Sequence, residues 1–236
     1  MNKFGKLYLI PVPISEENGA TQVPLYNIEL VKTLKHFIVE DAKTARRFLK
    51  LFGYSPIEQA ELFLLNEHTK KENISELIAP LLVGNNMGLM SDAGCPGIAD
   101  PGADIVRIAH QKNIEVLPLV GPSSIVLSIM ASGFNSQNFA FVGYLPIEKP
   151  QKSKRIKELE QIALKTKQAQ FFMETPYRND QIWELLLSSL AETTTLFVGA
   201  DILSSTQFIK SHTVKDWKNG PKPNLNKIPV IFGIHG

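Results

Sequence analysis

The chain has 236 residues, of which 44% are hydrophobic and 20% are charged, a composition typical of a globular protein with a sizeable core. Its 25 basic and 23 acidic residues give a net charge of +2, which excludes a broad basic face, so a nucleic acid would have to bind a local patch. The single cysteine excludes an internal disulfide and a cysteine-rich metal site.

The N-terminus carries Lys3 and Lys6 ahead of only a short apolar run, which Pro11 and Pro13 interrupt. This pattern predicts no signal peptide. No run in the chain approaches the ~20 consecutive apolar residues that a membrane span needs. We therefore expect a cytoplasmic protein without a membrane partner.

The N-terminal half alternates apolar runs with amphipathic stretches, which favours a parallel sheet covered by helices. The predicted strands are residues 6–11, 36–40, 61–65, 87–90 and 114–119. The predicted helices are residues 27–35, a second that begins after Asp41 as its N-cap, 70–83 and about 101–112. The third of these helices places four apolar side chains on one face, Ile74, Leu77, Ile78 and Leu81.

A loop rich in glycine and proline follows the fourth predicted strand and reads Ser-Asp-Ala-Gly-Cys-Pro-Gly-Ile-Ala-Asp-Pro-Gly from Ser91 to Gly102. Few of its side chains are bulky, so a ligand can approach its main-chain amides and carbonyls closely. We interpret Asp100 as the N-cap of the next helix, with Pro101 at the first helical position. Ligands of open α/β folds bind at this edge of the sheet, although such a loop can also be only a wide turn.

The C-terminal half is predicted to contain strands at 138–143, 168–173 and 194–198 and helices at 151–165 and 178–190. A less regular tail then ends in an apolar run at 228–234. One basic cluster lies in this half, comprising Lys149, Lys152, Lys154, Arg155, Lys157, Lys165 and Lys167. A charge run on a helix is usually a solvated face, and contact with phosphates is the alternative.

The loop from Ser91 to Gly102 resembles the signature of the small-subunit ribosomal-RNA cytidine 2′-O-methyltransferases, a branch of the tetrapyrrole methylase superfamily. The resemblance implies an α/β protein of two domains, 1–119 and 120–236, with a parallel-rich N-terminal sheet, a mixed C-terminal sheet and an active-site cleft between them. It also implies S-adenosyl-L-methionine (SAM) as cofactor, RNA of the small ribosomal subunit as partner, and a homodimer. No GxGxxG, His-Glu-x-x-His or Cys-x-x-Cys motif is present, so we expect neither a Rossmann-type methyltransferase nor a metal site.

The same resemblance assigns a set of residues to the cofactor. They are Pro11, Asp92, Ala93, Gly94, Cys95, Pro96, Ile98, Ala99, Ser123, Ser124, Gly143 and Leu145. Proline and paired serines at the start of a helix leave amides and hydroxyls at its positive end, which suits the carboxylate of a methionine moiety, although an ordinary capped helix would look the same. The loop that begins at Val12 lacks the family's glycine, and Cys95 stands where the family usually has threonine.

Methyl transfer to a ribose hydroxyl depends on holding donor and acceptor in line, and a general base helps because a hydroxyl is a poor nucleophile. Four candidates for this base follow from the resemblance, Glu40, Asp41, His68 and Glu174. Four side chains are assigned to the RNA, Arg46, Arg47, Tyr177 and Arg178. Helix capping is the alternative role for Glu40 and Asp41, and a structural role is the alternative for His68.

One element of the family is missing, since residues 199–203 read Gly-Ala-Asp-Ile-Leu where Arg-Glu-Leu-Thr-Lys is usual. This strip helps to form the family's substrate side. Three hypotheses therefore stand: an RNA ribose methyltransferase, a SAM-dependent methylase of a small molecule such as a tetrapyrrole, and a SAM-binding protein without catalysis.

Overall fold

The computed structural model of the chain describes residues 3–17, 19–65, 69 and 71–236, without the side chains of 71–73. The chain divides into two compact units, Met1–Ser123 and Ser124–Gly236. Each unit contains one five-stranded sheet. Among the helices of the described residues, none combines the length and the apolar character required to cross a membrane.

The sheet of the first unit is entirely parallel, as predicted. Its strands are β1 (Leu7–Ile10), β2 (His36–Val39), β3 (Glu61–Leu64), β4 (Met87–Met90) and β5 (Val116–Pro118). They lie in the order β3-β2-β4-β1-β5. The central strands are apolar at successive positions because both faces of a parallel sheet are covered; all four residues of β4 are buried.

The helices of this unit cover the two faces of the sheet in pairs. They are α1 (Leu25–Thr33), α2 (Ala42–Leu51), α3 (Ala79–Leu82) and α4 (Ala103–Gln111). Val31 of α1 and Leu49 of α2 belong to one buried cluster, whereas Leu81 of α3 and Ile105 of α4 belong to another. The chain therefore leaves the neighbouring strands β1 and β4 toward opposite faces, and open α/β sheets bind ligands outside the carboxyl ends of strands so arranged.

Two predictions about these helices are wrong. The helix predicted at 70–83 is a 3-10 helix at Lys71–Ile78 followed by the short α3, because Pro80 has no N–H for a continuous α-helix. Ile74, Ile78 and Leu81 of its apolar stripe are nevertheless buried. Asp100 is not the N-cap of α4, because that position is occupied by Gly102. The φ of Gly102 is +133°, a backbone conformation that residues with a side chain rarely adopt.

The sheet of the second unit is mixed, as predicted. Its strands are β6 (Phe139–Tyr144), β7 (Ala169–Met173), β8 (Thr195–Ala200), β9 (Phe208–Thr213) and β10 (Val230–His235). They lie in the order β6-β7-β10-β8-β9, and only the pair β6–β7 is parallel. The α/β fold class with one parallel and one mixed sheet is confirmed.

The helices of the second unit are α5 (Ser124–Ser132), α6 (Lys149–Thr166), α7 (Asn179–Ser189) and α8 (Val214–Asn219). Ile156 of α6 and Trp183 of α7 belong to the main buried cluster, and Ile129 of α5 packs against a second one. Strand β9 and helix α8 occupy the stretch that was predicted to be irregular. The helix begins after Thr213, whose hydroxyl accepts a hydrogen bond from the Asp216 amide at 3.1 Å.

Candidate functional site

The carboxyl edge of the first sheet brings two predicted site residues, Pro11 and Glu40, level with the start of the glycine-rich loop. Met90 pairs with Ile10 of β1 and with Val39 of β2. The next residue in each strand is therefore Ser91, Pro11 or Glu40, so the loops that follow β4, β1 and β2 begin side by side. This edge is where ligands of open α/β sheets bind.

Hydrogen bonds and a close packing contact connect the loops that follow β1, β4 and β5. The Val12 amide donates to the Gly94 carbonyl at 2.9 Å, and the Gly94 amide donates back to the Val12 carbonyl at 3.1 Å. The Cys95 thiol lies 3.3 Å from the Pro122 carbonyl. A Cβ atom added at Gly121 would lie 2.2 Å from Cβ of Pro11, so only glycine allows this approach.

The loop after β4 has an unusual backbone conformation. Gly94, Gly97 and Gly102 have φ of +71°, +79° and +133°. Ala99 has φ of +63°, which costs energy for a residue with a side chain. A non-glycine residue held in such a conformation is typical of ligand-binding loops, where the surrounding structure determines the backbone.

Among the described residues, three carboxyl groups with raised pKa values crowd this edge: Glu40 after β2, and Asp92 and Asp100 in the loop after β4. Burial raises the pKa of Glu40, and the charges of Asp92 and Asp100 raise it further against an opposing hydrogen bond from the Asp92 amide. Burial and the charge of Asp41 raise the pKa of Asp92. Burial and the charge of Asp92 raise the pKa of Asp100 to about 6. Crowded carboxyls with raised pKa values are typical of functional sites and favour a cationic ligand.

Asp41 is the N-cap of α2, as predicted. Its side chain accepts a hydrogen bond from the Thr44 amide at 2.7 Å, and this bond lowers the pKa of the Asp41 carboxyl. Arg47, on the same helix, forms an ion pair with Glu16, and its guanidinium lies 5.0 Å from the centre of the Phe48 ring. Arg46 is exposed.

The second unit contains other residues assigned by the resemblance. Gly143 has φ of +70° in β6, and the Leu145 side chain packs in the main core cluster. Ser124 begins α5. Tyr177 is exposed, in the turn between β7 and α7.

Glu174, also in the second unit, is buried and surrounded by donors. It pairs with Lys152, and it accepts hydrogen bonds from Arg178 Nε at 2.9 Å and from the Thr175 amide at 2.8 Å. Burial alone would raise the pKa of Glu174, but these bonds outweigh burial and lower it. A carboxylate so fully engaged is poorly suited to accept a proton from a substrate.

Three points about the predicted site residues remain: His68, the metal ligands and Asp100. His68 lies outside the described residues. Among the residues that the structure does describe, no group of three or more His, Cys, Asp or Glu side chains is placed to hold a metal ion. The sequence pattern predicts only a cap at Asp100, although an acidic residue in a glycine-rich loop is also a signal for a site residue.

Comparison with known proteins identifies the family. Residues 6–217 match the family model described as Tetrapyrrole (Corrin/Porphyrin) Methylases. The chain belongs to this family. The resemblance read from the loop after β4 is thereby confirmed, and that loop lies within the part of the chain that the family model covers.

Several relatives of the chain are called ribosomal RNA small subunit methyltransferase I. The protein from Vibrio cholerae is 30% identical over 98% of the chain and 77% of its own length. The protein from Escherichia coli O157:H7 is 33% identical over 67% of the chain and 53% of its own length. The protein from Bacillus subtilis is 31% identical over 80% of the chain and 60% of its own length. The chain thus spans only about half of the Escherichia coli relative.

Proposed function

We propose that the chain is a SAM-dependent methyltransferase that methylates a ribose 2′-hydroxyl of small-subunit ribosomal RNA. The observation that carries this proposal is the loop after β4, with its positive-φ backbone and its crowded carboxyls, in a member of the methylase family. The names of the relatives support ribosomal RNA as the methyl acceptor.

The residues at this edge fit SAM. The ligand is a cation at its sulfonium, and Glu40, Asp92 and Asp100 are carboxyls whose raised pKa values a nearby cation would bring down again. Its adenosine and amino groups need close main-chain partners, which the glycines of the loop after β4 permit. We assign the main chain of residues 92–99 and Pro11 to the cofactor, and Ser123, Ser124, Gly143 and Leu145 stay predictions.

When bound, SAM supplies an electrophilic methyl group on a good leaving group. The task of the chain is then to orient the ribose hydroxyl and to accept its proton. Glu40 is our choice for the proton acceptor, because burial and neighbouring charges raise its pKa, whereas Asp41 is occupied as an N-cap and Glu174 by its ion pairs. The exposed Arg46 and Arg47 are assigned to phosphates of the RNA.

The experiment incubates the protein with methyl-labelled SAM and small ribosomal subunits from cells that lack this modification. We expect label in the ribosomal RNA, at a 2′-hydroxyl after nuclease digestion. Label in a tetrapyrrole or another small molecule from a cell extract would support the family's other chemistry instead. Calorimetric binding of SAM without any methyl transfer would indicate a binding protein.

A matched pair of variants tests the cofactor site. Asp92→Ala should weaken SAM binding at least about tenfold, since it removes a charge from the proposed site. Asp104→Ala, on the exposed side of α4 in a salt bridge with Arg107, should bind SAM as the wild type does. Equal affinity of the two variants would refute the site. A cytoplasmic homodimer is part of the same proposal, and analytical ultracentrifugation tests the assembly.

A further inference from the structure

The carboxyl end of the parallel pair β6–β7 carries a second cluster of charged side chains, in the second unit. Tyr144 at the end of β6 pairs with Met173 at the end of β7. Glu174 follows directly, and its side chain is 0% exposed. It binds Lys152 from α6 and Arg178 from the turn after β7, with Arg178 Nη2 at 2.7 Å.

The charges of this cluster do not cancel. Two cations share one carboxylate, which leaves a net charge of +1. The Lys152 side chain is 7% exposed and is taken up by the buried pair, whereas the Arg178 side chain is 30% exposed. Glu174 contacts Arg178 through Nε and Nη2, and no contact in the described part of the chain involves Nη1. An arginine held on one edge of its planar guanidinium presents its remaining donors to a second anion in a fixed geometry.

The turn that carries Arg178 is held firmly. Pro176 begins its 3-10 helix, and the Lys227 amide donates to the Pro176 carbonyl at 3.3 Å. The buried Asn179 side chain donates to the carbonyls of Leu225 and Ile228 at 3.2 and 2.8 Å. Tyr177, a residue that is 78% exposed, therefore lies on a turn that main-chain and side-chain hydrogen bonds hold in place.

An exposed aromatic ring next to an oriented arginine is the chemistry that recognises single-stranded RNA. Bases stack on aromatic rings, and arginine binds the phosphate between them. Double-stranded RNA offers no free base faces to such a ring. The minor groove of an RNA helix already displays 2′-hydroxyls, so the exposed ring, and not the reaction, favours a single-stranded partner.

We propose that the turn Glu174–Arg178 is a contact site for a single-stranded segment of the RNA substrate. Arg178 binds a backbone phosphate, Tyr177 stacks on an adjacent base, and the buried Glu174 is a positioning residue that orients Arg178. This inference rests on the proposed function and assigns Glu174 a role other than that of the general base.

The first test measures RNA binding without cofactor, by filter binding of a short single-stranded oligoribonucleotide at several KCl concentrations. Arg178→Ala should weaken binding about tenfold and reduce the salt slope by about 1, because one phosphate contact is lost. Tyr177→Ala should weaken binding about tenfold with an unchanged slope, and Tyr177→Phe should bind as the wild type does, because stacking needs only the ring. Arg107→Ala removes an exposed arginine from the first unit and is the matched control.

The second test separates positioning from proton transfer at Glu174. With unmodified small subunits as substrate, Glu174→Gln should raise the KM for the RNA several-fold and leave kcat at saturating RNA unchanged. Circular dichroism melting checks that this isosteric variant is folded. A loss of kcat at unchanged KM would make Glu174 a catalytic group and overturn its positioning role.

The two proposals fail in different ways. If the wild type binds the oligoribonucleotide but transfers no label to ribosomal RNA, the proposed function fails, and the binding data on Tyr177 and Arg178 still judge the contact site. If the wild type methylates the RNA while Tyr177→Ala and Arg178→Ala bind as Arg107→Ala does, the contact site is refuted and the proposed function stands.

Discussion

Each of the two sheet edges carries a carboxyl group shielded from solvent, and its pKa is raised at one edge and lowered at the other. At the edge of the first sheet, Asp100 lies near Asp92 and Glu40, and burial with like charge raises its pKa to about 6. At the end of β7, the Glu174 side chain is 0% exposed, yet Lys152, the Thr175 amide and Arg178 together lower its pKa. Burial alone therefore does not decide the charge of a carboxyl group, because the sign of the neighbouring charges can outweigh it.

The two edges also differ in which part of the chain they offer to a ligand. The first edge depends on positive-φ residues and on the contact of Gly121 with Pro11, so it offers its main chain to a ligand. The second edge is a proline-started turn that offers side chains. A main-chain surface suits one small ligand of fixed shape, whereas projecting side chains suit a longer and more variable one.

The largest expected effect is the loss of Glu174. Glu174→Ala leaves Lys152 buried without its partner, and we expect the free energy of unfolding to fall by about 3–5 kcal/mol. The double variant Lys152→Met, Glu174→Leu should recover most of this loss, because apolar residues of similar volume replace the pair. Urea unfolding followed by tryptophan fluorescence measures both, and a loss under about 1 kcal/mol for the single variant contradicts the buried pair.

The next effect concerns the approach of two loops at the first edge. Gly121→Ala places a methyl group against the rigid ring of Pro11, and we expect a loss of about 2–3 kcal/mol in the free energy of unfolding. Gly133→Ala is the control, because φ is +72° there and no atom lies within 4 Å of the added Cβ. It should cost about 1–2 kcal/mol from the backbone alone. Equal losses in the two variants would mean that the loops separate easily.

The apolar runs were enough to predict eight of the ten strands in the described part of the chain. The run at 228–234 marked the position of β10 but was assigned to a less regular tail, and β9 was missed altogether. That strand lies at the edge of its sheet, and its residues Phe208–Thr213 are mostly half-buried, so they lack the clear apolar pattern of a central strand. The interruption at Pro80 could have been predicted, since a proline inside a helical pattern breaks it. The helical spacing of the apolar residues Ile74, Ile78 and Leu81 nevertheless favoured one continuous α-helix.

The candidate site was predictable where it depends on local sequence and not where it depends on packing. The spacing of glycine and proline in the loop after β4 is enough to predict a ligand-binding loop. Glu174 follows β7, whereas its partner Lys152 lies 22 residues earlier in α6, and no local pattern connects the two. The raised pKa of Asp100 likewise depends on burial and on Asp92, which only the folded chain brings together.

A smaller effect, of opposite sign to the loss of Glu174, is expected for Asp100→Asn. The folded pKa of Asp100 is about 6 and the unfolded value 3.8, so its protonated form stabilises the fold fully below the unfolded value, and this stabilisation is lost as pH rises through about 6. The asparagine variant should match the wild type at about pH 4 and be more stable by about 1–2 kcal/mol at about pH 7.5, after allowance for solvent screening.

Urea unfolding of both proteins across this pH range measures the effect. A constant difference between them at every pH would contradict the raised pKa. Because the wild type gives up stability at neutral pH to keep this carboxyl, the variant should also bind SAM more weakly if the carboxyl serves the proposed cofactor site.

The smallest effect separates capping from charge at the first edge. Asp41→Ala removes the acceptor of the Thr44 amide and should lower the melting temperature by about 2–4 °C, whereas Asp41→Asn keeps an N-cap acceptor and should melt within about 1 °C of the wild type. Both variants remove a negative charge that raises the pKa of Asp92. Since Asp41→Asn alters only that charge, methyl transfer at wild-type rates by Asp41→Asn would show that Asp41 acts as a cap. Loss of transfer by this well-folded variant would instead return Asp41 to the catalytic candidates and weaken the choice of Glu40.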